Sequence, residues 1–228
     1  MINLPDVTLI VMTSVDYEGH IESLKKSMNG IRYGEIVFAS PEKPLNLPET
    51  IKWKKCKKYL NIDEYSYGCI YDLHKFVDTE HCLLIQSDSW VLNPEKWNDD
   101  WLRYDYIGAP WAYSDFSYVD PFGNHQRVGN GGFSLRSKKL LEVPMKTNVP
   151  FEVNLGTFYK HMNANCYNED GNICVHNRHI FENEGCVFAP IEVAADFSHE
   201  TDIPEIQGII PFGFHKNLIH VKKRVNNE

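Results

Sequence analysis

Three strings carry the reading of this chain: QSDSWVLNP (86–94), YDYIGAPW (104–111) and VGNGGFSLRS (128–137). The first sets Asp88 just past a continuous apolar run, Cys82 to Ile85, which reads as a buried strand. A carboxylate at the carboxyl end of a strand lies where open α/β sheets build their sites. The third string places Asn130-Gly131-Gly132 ahead of another apolar strand. Glycines there let a second backbone or a ligand approach closely. Together the strings predict a metal-dependent site for a phosphorylated ligand.

Outward from these strings, apolar runs alternate with helical spacing. Strands are expected over residues 7–13, 35–39, 50–53, 82–86, 106–109, 132–135, 187–190 and 208–215. Helices are expected over 20–28, 64–77, 138–142 and most of 168–184, with a short helical turn at 97–101. Asp63 is placed to cap the second helix. Residues 111–128 are polar, aromatic and rich in turn formers, and read as a surface loop of functional length. The alternation predicts an α/β fold with a largely parallel sheet flanked by helices. No repeat or linker interrupts it, so residues 1–228 read as a single domain.

Composition narrows the function. The 228 residues are 43% hydrophobic and 13% aromatic, enough for a substantial core and unlike a disordered chain. A net charge of −8 argues against general nucleic-acid binding. It leaves phosphate ligands open, because a divalent cation supplies the missing charge. The apolar run at 7–12 is too short to span a bilayer and lacks the basic flank of a signal peptide. Six cysteines stand at 56, 69, 82, 166, 174 and 186 without CxxC spacing. They read as reduced thiols, which makes the expected location cytoplasmic. Cys166, Cys174, His176 and His179 fit no common structural zinc spacing. Walker, GxSxG and GxGxxG motifs are absent from the sequence, so P-loop enzymes, α/β-hydrolases and dinucleotide-binding dehydrogenases lose support.

Taken singly, the candidate residues each have two readings. Asp88 is either a turn residue bonding its own backbone or an oxygen ligand for Mg²⁺ or Mn²⁺. His215 is either packed in its aromatic strand or a nitrogen ligand. Glu169 and Asp170 either favour a helix dipole or supply a general base. Asn130, Gly131 and Gly132 either make a tight turn or line a sugar. Trp111 either anchors its loop or stacks on a sugar face.

The three strings, with Asn168-Glu169-Asp170 and PFGFHK (211–216), resemble a small glycosyltransferase family of the GT-A fold. The resemblance runs from about Tyr65 onward. A looser similarity is to β-1,4-galactosyltransferases, where a strand-end acidic motif, a Gly-Gly strand, an acidic pair and a late histidine come in the same order. The resemblance implies a metal-dependent enzyme that moves a hexose from a UDP-sugar to a glycan or other hydroxyl acceptor, with inversion. Asp88 and His215 are then the ligands for Mn²⁺ or Mg²⁺. Asp170 is the base, and Glu169 an alternative base or a sugar contact. Thr13, Ser14, Val15, Tyr65, Ser66 and Lys216 face the nucleotide. Trp111, Asn130, Gly131 and Gly132 face sugar or acceptor. The chain departs from the usual Asp-any-Asp metal motif, since Gln86, Ser87 and Ser89 surround a lone Asp88. Two other readings share this frame. A sugar-phosphate nucleotidyltransferase normally has a basic glycine-rich loop after the first strand, whereas SVDYEG (14–19) is acidic. A non-catalytic carbohydrate-binding module is the other.

Overall fold

The computed structural model describes residues 1–115, 118–151 and 168–216. Its main sheet has six strands in the order β3-β2-β1-β4-β7-β6. They are β1 (Ile2–Met12), β2 (Ile31–Ser40), β3 (Lys52–Lys55), β4 (His81–Ile85), β6 (Tyr106–Ile107) and β7 (Phe133–Ser137). The pairs β1–β2, β1–β4 and β2–β3 are parallel. Strand β7 alone runs against its neighbours β4 and β6. A second, three-stranded sheet joins β5 (Ser89–Val91), β9 (Gly213–His215) and β8 (Ser198–His199).

Burial explains the apolar runs. All five residues of β4 are buried, as is β1 from Val7 to Met12. Strands covered on both faces read as continuous hydrophobic stretches rather than alternating ones. Successive side chains still divide between two layers. Cys82 and Leu84 join Ile10, Met12, Ile70 and Leu73 on the side of α2 (Ile62–Tyr71) and α3 (Lys138–Lys146). Leu83 and Ile85 join Leu9, Val11, Leu24 and Phe133 on the side of α1 (Tyr17–Ser27).

Local signals set the helix ends. The Asp16 side chain accepts from the Gly19 amide at the start of α1, and Ser137 caps α3 through the Leu140 amide. Asn61, not Asp63, caps α2 by accepting from the Glu64 amide. The helix expected to run to 77 ends at Tyr71, and Leu73–Phe76 continues as a 3₁₀ turn. The 168–184 region resolves into one turn, α4 (Glu169–Gly171), a π-helical stretch (Asn172–His176) and α5 (Arg178–Asn183). Residues 187–190 form no strand of their own, although Phe188 bridges Tyr106. The next element is α6 (Ile191–Phe197), a helix the sequence reading did not anticipate. Among the described residues, no helix is long and apolar enough to cross a membrane. The five described cysteines are free and buried, and Cys166 lies outside the described residues.

The topology places the site. Parallel β1 and β4 end at the same sheet edge, at Met12 and Ile85. Antiparallel β7 begins at that edge, with Phe133 opposite Ile85, so residues 130–132 enter where residues 86–88 leave.

Leu83 has no exposed surface and lies at the centre of this sheet. Leu83→Ala is expected to cost about 2–5 kcal/mol, lost transfer energy plus the cavity left behind. Urea unfolding of the two proteins measures it as a lower midpoint at unchanged slope.

Candidate active site

Two adjoining cavities occupy that edge, sharing Ile62, Tyr65 and Gln86 as a common wall. The first, about 400 Å³, is bounded by the end of β1 (Thr13, Ser14, Val15), by Tyr59 and Leu60, and by Ser87 and Asp88. The second, about 210 Å³, is bounded by Asn130, Gly131, Gly132, Asp170, Glu200 and His215. Asp88 belongs to one cavity and His215 to the other.

These two residues, 127 positions apart in sequence, meet because β5 and β9 pair. Ser89 stands opposite His215, and the Lys216 amide donates to the Asp88 carbonyl at 3.1 Å. His215 Nε2 then lies 3.4 Å from Asp88 Oδ1. The other ring nitrogen, Nδ1, lies 3.0 Å from Glu200 Oε1. Burial alone would depress the His215 pKa, but hydrogen bonds to Asp88 and Glu200 outweigh it and raise the value to about 9. The same bond to His215 holds the Asp88 carboxyl below its ordinary range.

A glycine is needed at 132. A Cβ there would run into the imidazole of His215. The left-handed backbone position in this strip falls on Asn130, at φ 65°, and not on a glycine. Gly131 and Gly132 therefore serve close approach rather than turn geometry.

The Asp170 carboxylate accepts from the Gly131 amide (3.1 Å) and the Gly171 amide (2.7 Å). Burial, followed by the charge of Glu169, raises its pKa to about 7. Glu169 is differently committed. Its Oε1 accepts from Arg136 Nη2 at 3.0 Å, and both side chains are buried. Tyr106 adds its ring face, with the guanidinium carbon 5.2 Å from the centroid. Glu169 thus anchors the turn that presents Asp170.

Other expectations need correction. Ser66 does not reach the cleft: it is fully buried on α2, and its Oγ has no hydrogen-bond partner. Trp111 lines the second cavity but is 5% exposed, and the Tyr118 ring stacks on one of its faces at 4.2 Å, which closes that face to a sugar. Around it the 111–128 stretch is tied down at its base, where the Trp111 amide donates to the Arg127 carbonyl. Thr13 Oγ1 bonds within its own turn to Val15, and Ser14 Oγ accepts from the Tyr59 amide. Both shape the cavity wall. Val15 sits exposed at the rim. Lys216 extends outward, its Nζ 3.8 Å from Glu200.

Glu200, Tyr118 and His20 are among the wall residues that escaped the sequence reading. Glu200 follows the two-residue strand β8 in a stretch without a motif. Tyr118 lies in the loop read as irregular. His20 lines the first cavity from α1, with Nδ1 bonded to the Asp16 carbonyl at 2.7 Å. Only Asp-Phe-Ser-His-Glu (196–200), with two ionisable groups after an apolar helix, offered a signal.

The donor set fits a divalent cation through two protein ligands. Nε2 of His215 is buried and faces the Asp88 carboxylate at 3.4 Å. Cis ligands of an octahedral ion at about 2.1 Å lie about 3 Å apart, close to the separation seen here. Among the described residues no group of three or more His, Cys, Asp or Glu forms a metal cluster, so other ligands must complete the shell.

Removing one partner of a buried ion pair leaves an uncompensated charge. Glu169→Gln is expected to cost about 3–5 kcal/mol through the stranded Arg136. Chemical denaturation measures it, and a loss below 1 kcal/mol would contradict the pairing.

Comparison with solved structures agrees with this architecture. A galactosyltransferase, LgtC, in complex with donor and acceptor sugar analogs, superimposes with a TM-score of 0.54 at 12% identity, covering 91% of this chain and 86% of that one. An active-site mutant of LgtC superimposes with a TM-score of 0.51 at 11% identity, with the same coverage of both chains. At this identity the likeness is one of fold, and the fold is the GT-A-like α/β fold. No curated protein sequence matches. Residues 62–215, which carry both halves of the Asp88–His215 pair, match the family described as "Protein of unknown function (DUF5672)", and the chain belongs to that family.

Proposed function

We propose that this protein is a metal-assisted glycosyltransferase that moves a hexose from a UDP-sugar to a hydroxyl acceptor, with inversion at the anomeric carbon. One observation carries the reading: Asp88 and His215 meet at 3.4 Å where the two cavities join, with Asp170 on the wall of the second. The first cavity, walled by Met12, Tyr59, Leu60 and Tyr65, suits a planar base and its ribose. The second, lined by Asn130, Gly131 and Gly132, suits a hexose, with amide and backbone groups for its hydroxyls.

Asp88 and His215 would hold Mn²⁺ or Mg²⁺, which when bound neutralises charge on the departing diphosphate. Asp170 takes the proton of the acceptor hydroxyl as that oxygen attacks the anomeric carbon. A new C–O bond forms, the bond to the nucleoside diphosphate breaks, and the diphosphate leaves with the electron pair. Both Asp170 oxygens accept a backbone N–H, which fixes the carboxylate while leaving each oxygen a further lone pair. Its raised pKa poises it near neutrality, where a general base works best. Glu169, held by Arg136, takes no part in proton transfer. Lys216, at the rim, is free to swing toward a phosphate.

A melting-temperature screen of nucleotide sugars with and without Mn²⁺ tests the donor assignment, since a ligand that binds the folded state alone raises the transition. The expected result is stabilisation by UDP-sugars that requires the cation. Saccharide binding without nucleotide binding would instead indicate a carbohydrate-binding module. Pyrophosphate release from UTP and a sugar phosphate would indicate a nucleotidyltransferase. NMR of the product decides stereochemistry, and retained configuration removes the single-displacement step.

Asp170→Asn is expected to keep UDP binding and lose about 10²–10⁴-fold in turnover. In the wild type, kcat/KM is expected to climb with pH through about 7, as the carboxyl loses its proton. Stability follows the opposite sign. The folded pKa is raised above the ordinary aspartate value of 3.8, so this contribution is full below that value and lost as pH rises through about 7. Asp170→Asn should therefore melt higher than the wild type at pH 8, and the difference should shrink on acidification. Wild-type turnover by the Asn variant would refute the base.

Asp88→Ala is expected to abolish the metal dependence of UDP binding. Calorimetric titrations that still respond to Mn²⁺ in that variant would show that the cation binds elsewhere.

A further inference from the structure

His215 has an acid on each edge of its ring, and the two do different work. Asp88 faces Nε2, whereas Glu200 faces Nδ1. The nitrogens diverge, so Glu200 cannot reach an ion bound at Nε2. A carboxylate oxygen 3.0 Å from an imidazole nitrogen needs a proton between them, and the ionised carboxylate has none to give. That proton is therefore on Nδ1. The Asn130 amide nitrogen also lies 3.0 Å from Nδ1. In the arrangement that satisfies both neighbours, Nδ1–H donates to Glu200, and Asn130 donates to the same carboxylate. The alternative has Asn130 donating to a bare Nδ1 and Nε2 carrying the hydrogen. It would set a lone pair against Glu200 and close Nε2 to any cation. Before a cation binds, the doubly protonated ring points its Nε2–H at Asp88 Oδ1, 3.4 Å away.

We infer that Glu200, oriented by Asn130, is a positioning residue that holds the Nδ1 proton of His215 in place and so leaves Nε2 as the nitrogen that exchanges its proton for a divalent cation. This rests on the metal-assisted reading above and extends it from the ligands to the group behind them. Ligating histidines commonly donate their other N–H to a carboxylate, which fixes ring orientation and raises basicity. Glu200 lies on the residue after β8, and β8 pairs with β9, so the strand that carries His215 also aligns the acid behind it. The Cβ-free wall at Gly132 holds the opposite side of the ring.

The test uses the full chain with Mn²⁺ and UDP, read by electron paramagnetic resonance rather than by turnover. Wild type is expected to bind Mn²⁺ in the presence of UDP and to show ¹⁴N modulation from one imidazole in the pulsed spectrum. Glu200→Ala is expected to lose that modulation and about 10–100-fold in Mn²⁺ affinity. UDP affinity measured without metal should stay unchanged, which a general distortion of the site would not allow. Glu200→Gln, whose amide oxygen accepts the same N–H, should restore the nitrogen signal with intermediate affinity. Glu200→Met, similar in volume, carries the same expectations as Ala and serves if the smaller side chain fails to fold. Unchanged modulation and affinity in Ala or Met, beside a wild type that shows both, overturn this inference and leave the two-ligand site standing. A wild type that binds no Mn²⁺ with UDP overturns the metal-assisted reading and this inference with it.

Discussion

The site depends on the pairing of β5 with β9. Three residues on each side, Ser89 opposite His215 through Val91 opposite Gly213, form the contact. Without it Asp88 would be a turn residue at the end of β4, and His215 an aromatic-strand histidine. The ladder is short, so packing must hold it. Trp90 meets Phe214 edge-on at 4.6 Å, and Phe212 lies among Trp97, Trp101, Phe133 and Phe197. Aromatic contacts of this kind add about 0.5–1.5 kcal/mol each beyond their buried area. Aromatic residues between the acidic motif and the late histidine thus align the ends of a site to which they contribute no polar atom.

The second constraint is electrostatic. A chain of net charge −8 gathers Asp88, Glu169, Asp170 and Glu200 around one cleft. Four acids in a confined volume repel one another, and each is answered differently. Asp88 and Glu200 share His215, and Glu169 takes Arg136. Among the described residues Asp170 receives two backbone N–H groups, and it is the acid whose pKa climbs. The division follows the partners: the acids paired with a cation hold the geometry of the cleft, while Asp170, buried beside Glu169, keeps its proton to higher pH. On the function proposed above, the same division would let an acidic protein accommodate a diphosphate, with the cleft supplying ligands for a cation in place of a surface of lysines.

Much of the fold was legible because buried parallel strands announce themselves. Residues 7–12 and 82–85 are apolar without alternation, as two-sided burial demands. The direction of β7 was not legible, since a five-residue strand carries no mark of its orientation, and its reversal brings the glycine strip to the site. Nor was α6, whose seven residues are too few to show a helical period against the apolar positions around them. In the site, residues attached to a distinctive string were readable: Asp88, Asn130, Gly132, Asp170 and His215 all line the cleft. Ser66 failed because neighbours on a helix point about 100° apart, so Tyr65 facing the cleft turns Ser66 into the core. Trp111 lines the cleft, but Tyr118, seven residues on, covers one face of its ring, a contact set by loop conformation rather than by spacing. Glu200 carried little signal beyond the ionisable pair His199-Glu200, because its place comes from β8 pairing with β9, and a two-residue strand leaves no pattern.

The same reasoning explains why the glycines cluster where they do. Gly108 packs on the Gly129 backbone, Gly129 on the Trp111 ring, Gly131 on the Glu169 carboxylate and Gly132 on the His215 imidazole. None of the four has a positive φ, so each is there for want of a side chain. Three of these contacts seat a functional or anchoring side chain against bare backbone, fixing its position by exclusion. A methyl group at any one would push a different part of the cleft outward: the Trp111 wall, the turn carrying Asp170, or the ring between Asp88 and Glu200. The one left-handed residue of the strip, Asn130, shows the complementary use of backbone. A non-glycine residue at φ 65° costs conformational energy, and Asn bears that cost better than most because its short polar side chain bonds locally. Here that side chain also reaches Glu200 and His215. Strain and close approach are therefore concentrated in three consecutive residues, at the point where two sheets and a helical turn converge on the cleft.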